Sequence, residues 1–243
     1  MPFGKAEIAQ MLAHAYGYRL YCEITTSTTG FRFHQARAAG YAECRRLVYR
    51  CPPTFDDGEP IDYRSEDDDT AACVARMRSE CRPFDIMLVD PHHTYECSLR
   101  DLRDAWSLLR PGGALVVHDC DPLSLALASP DCIPGAWCGV TYKAFLDFVI
   151  ADDSLRYCCV DADYGCGVIF KTPRSPSLWE RLGTLMQGRT RRRVEAAWLA
   201  VGDDFTDAYR LFRSHRSLLL KLVDVETFVR RYSRVITASP PTP

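Results

Sequence analysis

Two clusters of acids and imidazoles stand out between Phe84 and Asp121. Asp90, His92 and His93 follow one short apolar run, Ile86–Val89, and His118, Asp119 and Asp121 follow another, Ala114–Val117. Carboxylates and imidazoles together serve general acid–base catalysis near neutral pH and the holding of a divalent cation. Each cluster sits immediately after a run rich in branched residues and bounded by turn signals, the signature of a buried parallel strand. Ligands of open α/β sheets bind at the carboxyl ends of strands. These six side chains therefore define a candidate site, and the rest of the chain is read for what positions them.

Between the clusters lies an amphipathic helix, Tyr95–Leu109, stopped by Pro111-Gly112-Gly113. Upstream, Lys5–Ala15 reads as a helix with Ile8, Met11, Leu12 and Ala15 on one face. Arg19–Ile24 reads as a strand, Thr25–Gly30 as a turn-rich loop, His34–Ala39 as a helix and Arg46–Tyr49 as a strand. Ile61–Tyr63 is a short strand, and Asp68–Cys81 a helix capped by Asp67 or Asp68. Downstream, Asp121–Trp137 is a long loop suited to a lid or acceptor wall. Thr141–Ile150 is helical. Leu155–Val160 and Gly165–Lys171 are strands whose four-residue connection, Asp161-Ala162-Asp163-Tyr164, predicts an antiparallel hairpin in which turn chemistry explains both aspartates. Ser177–Arg234 reads as helical throughout, broken at Gly202-Asp203-Asp204. The order predicts an α/β, doubly wound, mostly parallel sheet of about seven strands in residues 1–175. A C-terminal helical extension packed on it follows at 176–236, and a disordered tail at 237–243.

Composition narrows the classes. With 243 residues, 47% hydrophobic and 26% charged, the chain can bury a full core. A net charge of −2 provides no global field for nucleic acid. The dense basic cluster, Arg189 and Arg191–Arg193, reads as a solvated helix face, since arginine outnumbers lysine 26 to 4 throughout. No run approaches the about 20 apolar residues of a membrane span, and no signal-peptide core is visible, so a cytoplasmic protein is expected. The 12 cysteines lack metal-site spacing and read as small buried apolar residues.

Four motifs then resemble one family. Tyr21-Cys22-Glu23-Ile24 ends a first strand in an acid followed by a turn loop. Val89-Asp90-Pro91-His92-His93-Thr94-Tyr95-Glu96 ends a fourth strand, and Leu109–Gly113 leads into a fifth that ends in His118-Asp119-Cys120. Asp161–Ile169 forms a closing hairpin. Over about residues 5–171 this layout resembles the class I S-adenosylmethionine-dependent methyltransferases, and within them the macrocin O-methyltransferase type of small-molecule O-methyltransferase. Two departures are visible. The loop after the first strand, Thr25-Thr26-Ser27-Thr28-Thr29-Gly30, has glycine only at its end. The second strand runs into Tyr49-Arg50-Cys51-Pro52 where the family has a ribose-binding acid.

The resemblance implies a Rossmann-like fold and S-adenosylmethionine-dependent O-methylation of a small hydroxylated acceptor, a sugar or natural product. It implies cofactor contacts from Glu23, Thr25, Thr26, Gly30, Ser65, Glu66 and Asp90. It also implies a metal set of Asp90, His118 and Asp119 for Mg2+ or Mn2+, with Asp121 a spare oxygen ligand. His92 is expected as the base, with His93 positioning the acceptor; the two assignments are interchangeable at this point. No nucleic acid or membrane partner is expected. Leu211, Phe212, Leu218–Leu220, Leu222, Val223 and Phe228 pack the C-terminal helices onto the sheet or form a homo-oligomer interface. Two rival readings stay open: a binding protein that kept the fold without catalysis, and a metal-dependent enzyme of another class.

Overall fold

Strand burial sets the architecture. In the computed structural model, which describes residues 3–27, 33–171 and 178–237 (side chains of 178–187 and 233–237 excepted), Phe84–Asp90 is buried along its whole length. Only a strand covered on both faces takes seven consecutive buried residues. The elements in chain order are α1 (Lys5–Tyr16), β1 (Leu20–Thr26), α2 (Phe33–Ala38), β2 (Glu43–Tyr49), β3 (Tyr63–Arg64), α3 (Ala71–Glu80), β4 (Phe84–Asp90) and α4 (Tyr95–Leu108). After them come β5 (Leu109–Val117), α5 (Thr141–Ile150), β6 (Arg156–Val160), β7 (Cys166–Phe170), α6 (Leu178–Val201), α7 (Phe205–Leu219), β8 (Leu222–Val223) and α8 (Val225–Thr237). One sheet runs β3-β2-β1-β4-β5-β7-β6-β8. Every pairing is parallel except β5–β7 and β6–β7. The order reverses between β1 and β4, which makes their C-terminal ends a topological switch point.

Alternation assigns the two faces. Tyr21, Ile86, Leu88, Ala114 and Val116 pack with Ile8 and Leu12 of α1 and Phe228 of α8. Cys22, Ile24, Met87, Val89, Leu115 and Val117 pack with Met77, Leu102, Phe145, Trp198 and Phe212 on the other side. The segment from α6 onward thus shares the sheet's own core. Among the described residues no helix is long and apolar enough to cross a membrane.

The fold is the expected doubly wound α/β sheet, with local corrections. Among the described residues it has eight strands rather than about seven. Ser177–Arg234 is not helical throughout, because Lys221 takes φ 48° after α7 and Leu222–Val223 then pairs parallel with β6. Thr25 and Thr26 are not turn residues. They extend β1, paired with Asp90 and Tyr49, as suits β-branched side chains. Pro111-Gly112-Gly113 does not sit between helix and strand but inside β5. A Cβ at Gly113 would lie 2.6 Å from the Asp85 carbonyl oxygen, so glycine lets the strands close. Helix α3 starts at Ala71 rather than Asp68, because Asp67 and Asp69 spend their carboxylates on the amides of Asp69 and Ala71 in local turns. Of the loop expected at Thr25–Gly30, residues 28–30 lie outside the described residues, as do 238–243 of the tail.

Candidate active site at the switch point

The C-terminal ends of β4 and β5 and the first turn of α1 converge on a buried cluster of charge. Lys5 Nζ pairs with Asp90 Oδ2, and both side chains are almost wholly buried. His118 Nδ1 lies 3.2 Å from Asp90 Oδ1 and 3.1 Å from Asp119 Oδ2, and its Nε2 lies 3.2 Å from Asp163 Oδ2. His93 Nε2 is 3.3 Å from Asp119 Oδ2, while its Nδ1 faces Thr141 Oγ1 at 3.3 Å. Asp119 holds φ 59°, a backbone setting aspartate tolerates better than most residues and one that aims its carboxylate back at both imidazoles.

Each titration follows from these neighbours. Burial opposes the Lys5 charge, but Asp90, with Glu23 and Asp119, outweighs it and raises its pKa. Burial likewise opposes ionisation of Asp90, and Lys5 and His118 overcome it, holding the carboxyl well below the usual range. Burial and Lys5 push His118 down, yet Asp119 and Asp90 prevail, so its pKa lies well above the ordinary histidine value. The His118 ring facing it is the main reason Asp163 falls to about 2. His93 is lowered by burial, with Asp119 and Asp90 opposing. His92, half-buried, is lowered by burial and by Arg50. The cluster therefore holds a lysine and one imidazolium among carboxylates, with two neutral imidazoles beside them.

Among the described residues, Asp90, His93 and Asp119 place ligand atoms within 4.8 Å of one another. That group overlaps the expected set in its two aspartates and differs in its imidazole. His118, the imidazole of the expected set, lies beside that group: its Nδ1 faces both carboxylates, and its buried Nε2, 3.2 Å from Asp163 Oδ2, makes no hydrogen bond of good geometry. Asp121, the expected spare oxygen ligand, is paired with Arg216, whose Nε reaches its two oxygens at 2.8 and 2.7 Å. Asp163 is not explained by turn chemistry alone, since it meets His118, and Asp161 pairs with Arg216 at 2.8 Å.

The His92-His93 loop is clamped from three sides. The His92 amide donates to the Tyr49 hydroxyl at the end of β2, and Val140 N–H donates to the His93 carbonyl at 2.9 Å. Trp137 meets both rings edge-on with centroids 5.3 Å away. Trp137 comes from the long loop after β5, whose segment Leu125–Pro130 walls a groove of about 690 Å³ against Asp203–Thr206.

The expected cofactor residues scatter. Glu23 is fully buried in β1, accepts from Tyr21 OH at 3.0 Å, and is pushed up to about 7 by burial against the pull of Lys5 and Arg46. Thr25 and Thr26 are buried in the strand, and Gly30 lies outside the described residues. Ser65 Oγ sits 3.0 Å from Asp67 Oδ1 and donates to the Asp69 carbonyl at 2.8 Å, and Glu66 is exposed. Just beyond them, Asp68 Oδ1 and Thr70 Oγ1 are buried without a hydrogen-bond partner. The other Asp68 oxygen pairs with Arg50 at 2.8 Å. Reasoning from sequence missed Lys5, Tyr49, Trp137 and Asp163. Lys5 alone carried a signal: with Ile8, Ala9 and Leu12 it falls on the apolar stripe of α1.

Residues 8–120 match the model of a family described as a methyltransferase domain. The structure is similar to that of the O-methyltransferase TomG from Streptomyces achromogenes, involved in tomaymycin synthesis and solved with S-adenosylmethionine. The TM-score is 0.51 at 16% identity, over 69% of this chain and 79% of that one. It is also similar to an O-methyltransferase from Bacillus cereus solved with S-adenosylhomocysteine, with TM-score 0.50 at 12% identity over 68% and 80% of the two chains. No curated protein sequence matches the chain. The doubly wound fold is thus shared with these solved structures, and the methyltransferase-domain model matches residues 8–120, just under half of the chain.

Proposed function

We propose that this protein is an S-adenosylmethionine-dependent O-methyltransferase of a small hydroxylated acceptor, of the macrocin O-methyltransferase type and assisted by a divalent cation. The observation that carries the reading is the convergence of Asp90, His93, His118 and Asp119 at the switch point of a methyltransferase domain. Methyl transfer to oxygen needs an in-line acceptor, removal of its proton and stabilisation of the charge that develops. Bound S-adenosylmethionine supplies the electrophilic methyl group; Glu23, Asp90 and the buried acceptors of Asp68 and Thr70 are the groups that would hold it. A divalent cation held by Asp90, His93 and Asp119 would lower the acceptor hydroxyl's pKa.

The chain's own residues do the rest. His92 is neutral at pH 7, reaches solvent, and has its backbone fixed by Tyr49, so it takes the acceptor proton as general base. His93, tied to Asp119 and Thr141, orients the site. The loop carrying Trp137 forms the acceptor wall. The test is calorimetric titration of the purified protein with S-adenosylhomocysteine, with and without Mg2+. Micromolar binding is expected; absence of binding in both conditions overturns the enzyme reading and leaves the fold as a binding scaffold.

A further inference from the structure

Lys5 is the one side chain of the cluster contributed by α1, and nothing in the proposed transfer step uses it. Its ammonium is buried against Asp90 Oδ2, the other Asp90 oxygen faces His118, and Glu23 and Asp119 also act on its charge. Asp90, one of the residues that would ligate a metal, thus already has the Lys5 ammonium on Oδ2 and His118 beside its other oxygen. A lysine ammonium and a divalent cation cannot both occupy one carboxylate oxygen in a buried site, since their repulsion is poorly screened there. Lys5 is also the first residue of its helix.

We infer that Lys5 is the resident cation on Asp90 Oδ2 and that a divalent cation enters at that oxygen only in exchange for it, so that the first turn of α1 regulates metal loading. This rests on the reading of Asp90, His93 and Asp119 as a metal site. It predicts weak metal binding by the wild type and a marked gain when the competing charge is removed.

The experiment measures Mn2+ binding by electron paramagnetic resonance to the wild type, Lys5→Met and Asp119→Asn. Lys5→Met should bind Mn2+ at least about tenfold more tightly, as expected when a paired buried charge no longer competes. Asp119→Asn should bind none. Because Lys5→Met leaves Asp90 without its partner and could unfold, a second measurement uses the wild type alone. The protein is acetylated with and without saturating Mn2+, and its four lysines are read by peptide mass spectrometry. Lys5 should be protected without metal and modified with it, while Lys143, Lys171 and Lys221 stay unchanged. Equal Mn2+ affinity in wild type and Lys5→Met, or a Lys5 that stays protected while Mn2+ is bound, overturns the exchange and leaves the metal site standing. Mn2+ binding that survives Asp119→Asn overturns both. Titration with S-adenosylhomocysteine in the absence of metal reports on the methyltransferase reading separately.

Discussion

A carboxylate with no exposed surface, one tyrosine hydroxyl and a lysine nearby, titrates where folding makes it titrate. Glu23 has a folded pKa of about 7 against an ordinary 4.5. The folded state therefore binds more protons than the unfolded one between those values, and Glu23's contribution to stability falls as pH rises from 4.5 to 7. The full shift is worth about 3 kcal/mol. Urea unfolding of wild type and Glu23→Gln at pH 5 and pH 8 measures it: the wild type should lose stability relative to the variant at the higher pH. A pH-independent difference would mean that Glu23 is ionised throughout. At the reacting end, His92→Gln should lower methyl transfer roughly 10²-fold or more, as for removal of a general base, with unchanged affinity for S-adenosylhomocysteine. Full turnover in that variant would remove His92 from the mechanism. Asp90, His92, His93, His118 and Asp119 were legible in the sequence because they follow strands directly. Lys5, Tyr49 and Asp163 were not, because tertiary packing brings α1, β2 and the β6–β7 turn to the same edge.

Elements were legible where period and punctuation agreed. Helix α5 runs from Thr141 to Ile150 as its pattern predicts, and the β6–β7 hairpin is antiparallel as its short connection requires. They failed where a side chain found a local partner or a neighbour that the pattern does not encode. The aspartates before α3 close turns instead of extending the helix, and β8 exists because β6 offers it an edge. The long loop after β5 shows how one residue couples two elements. Gly139 holds φ 56°, and a Cβ there would sit 2.0 Å from the His93 carbonyl oxygen. Gly139→Ala should therefore force the loop away from His93, breaking the Val140–His93 hydrogen bond at a cost of about 2 kcal/mol or more. Chemical denaturation checks this, and a variant as stable as the wild type would show that the loop does not depend on the close approach.

At the scale of the molecule, the first and last described helices meet on one face of the sheet. Helix α8 lies on α1: Phe228 is fully buried, and Tyr232 stands 6.1 Å from Tyr16 and 5.9 Å from Phe170 between ring centroids. Helix α1 has 12 residues, a length at which an isolated helix is marginal in water, so its order depends on what it packs against. Sheet and α8 cover it from two sides, and Lys5 enters the Asp90 cluster only while α1 is docked. The opposite face holds α3, α4 and α5 over a separate set of core residues. Removing residues 225–243 should therefore loosen one face and spare the other. Amide hydrogen exchange reads the difference. The amides of Ile8, Ala9 and Leu12 in α1 should lose about two orders of magnitude of protection, the equivalent of one large buried aromatic contact. Those of Leu102 and Ala105 in α4 should keep theirs. A uniform loss in both helices would show that α8 supports the whole domain, and unchanged protection in α1 would show that the sheet alone holds Lys5 in place.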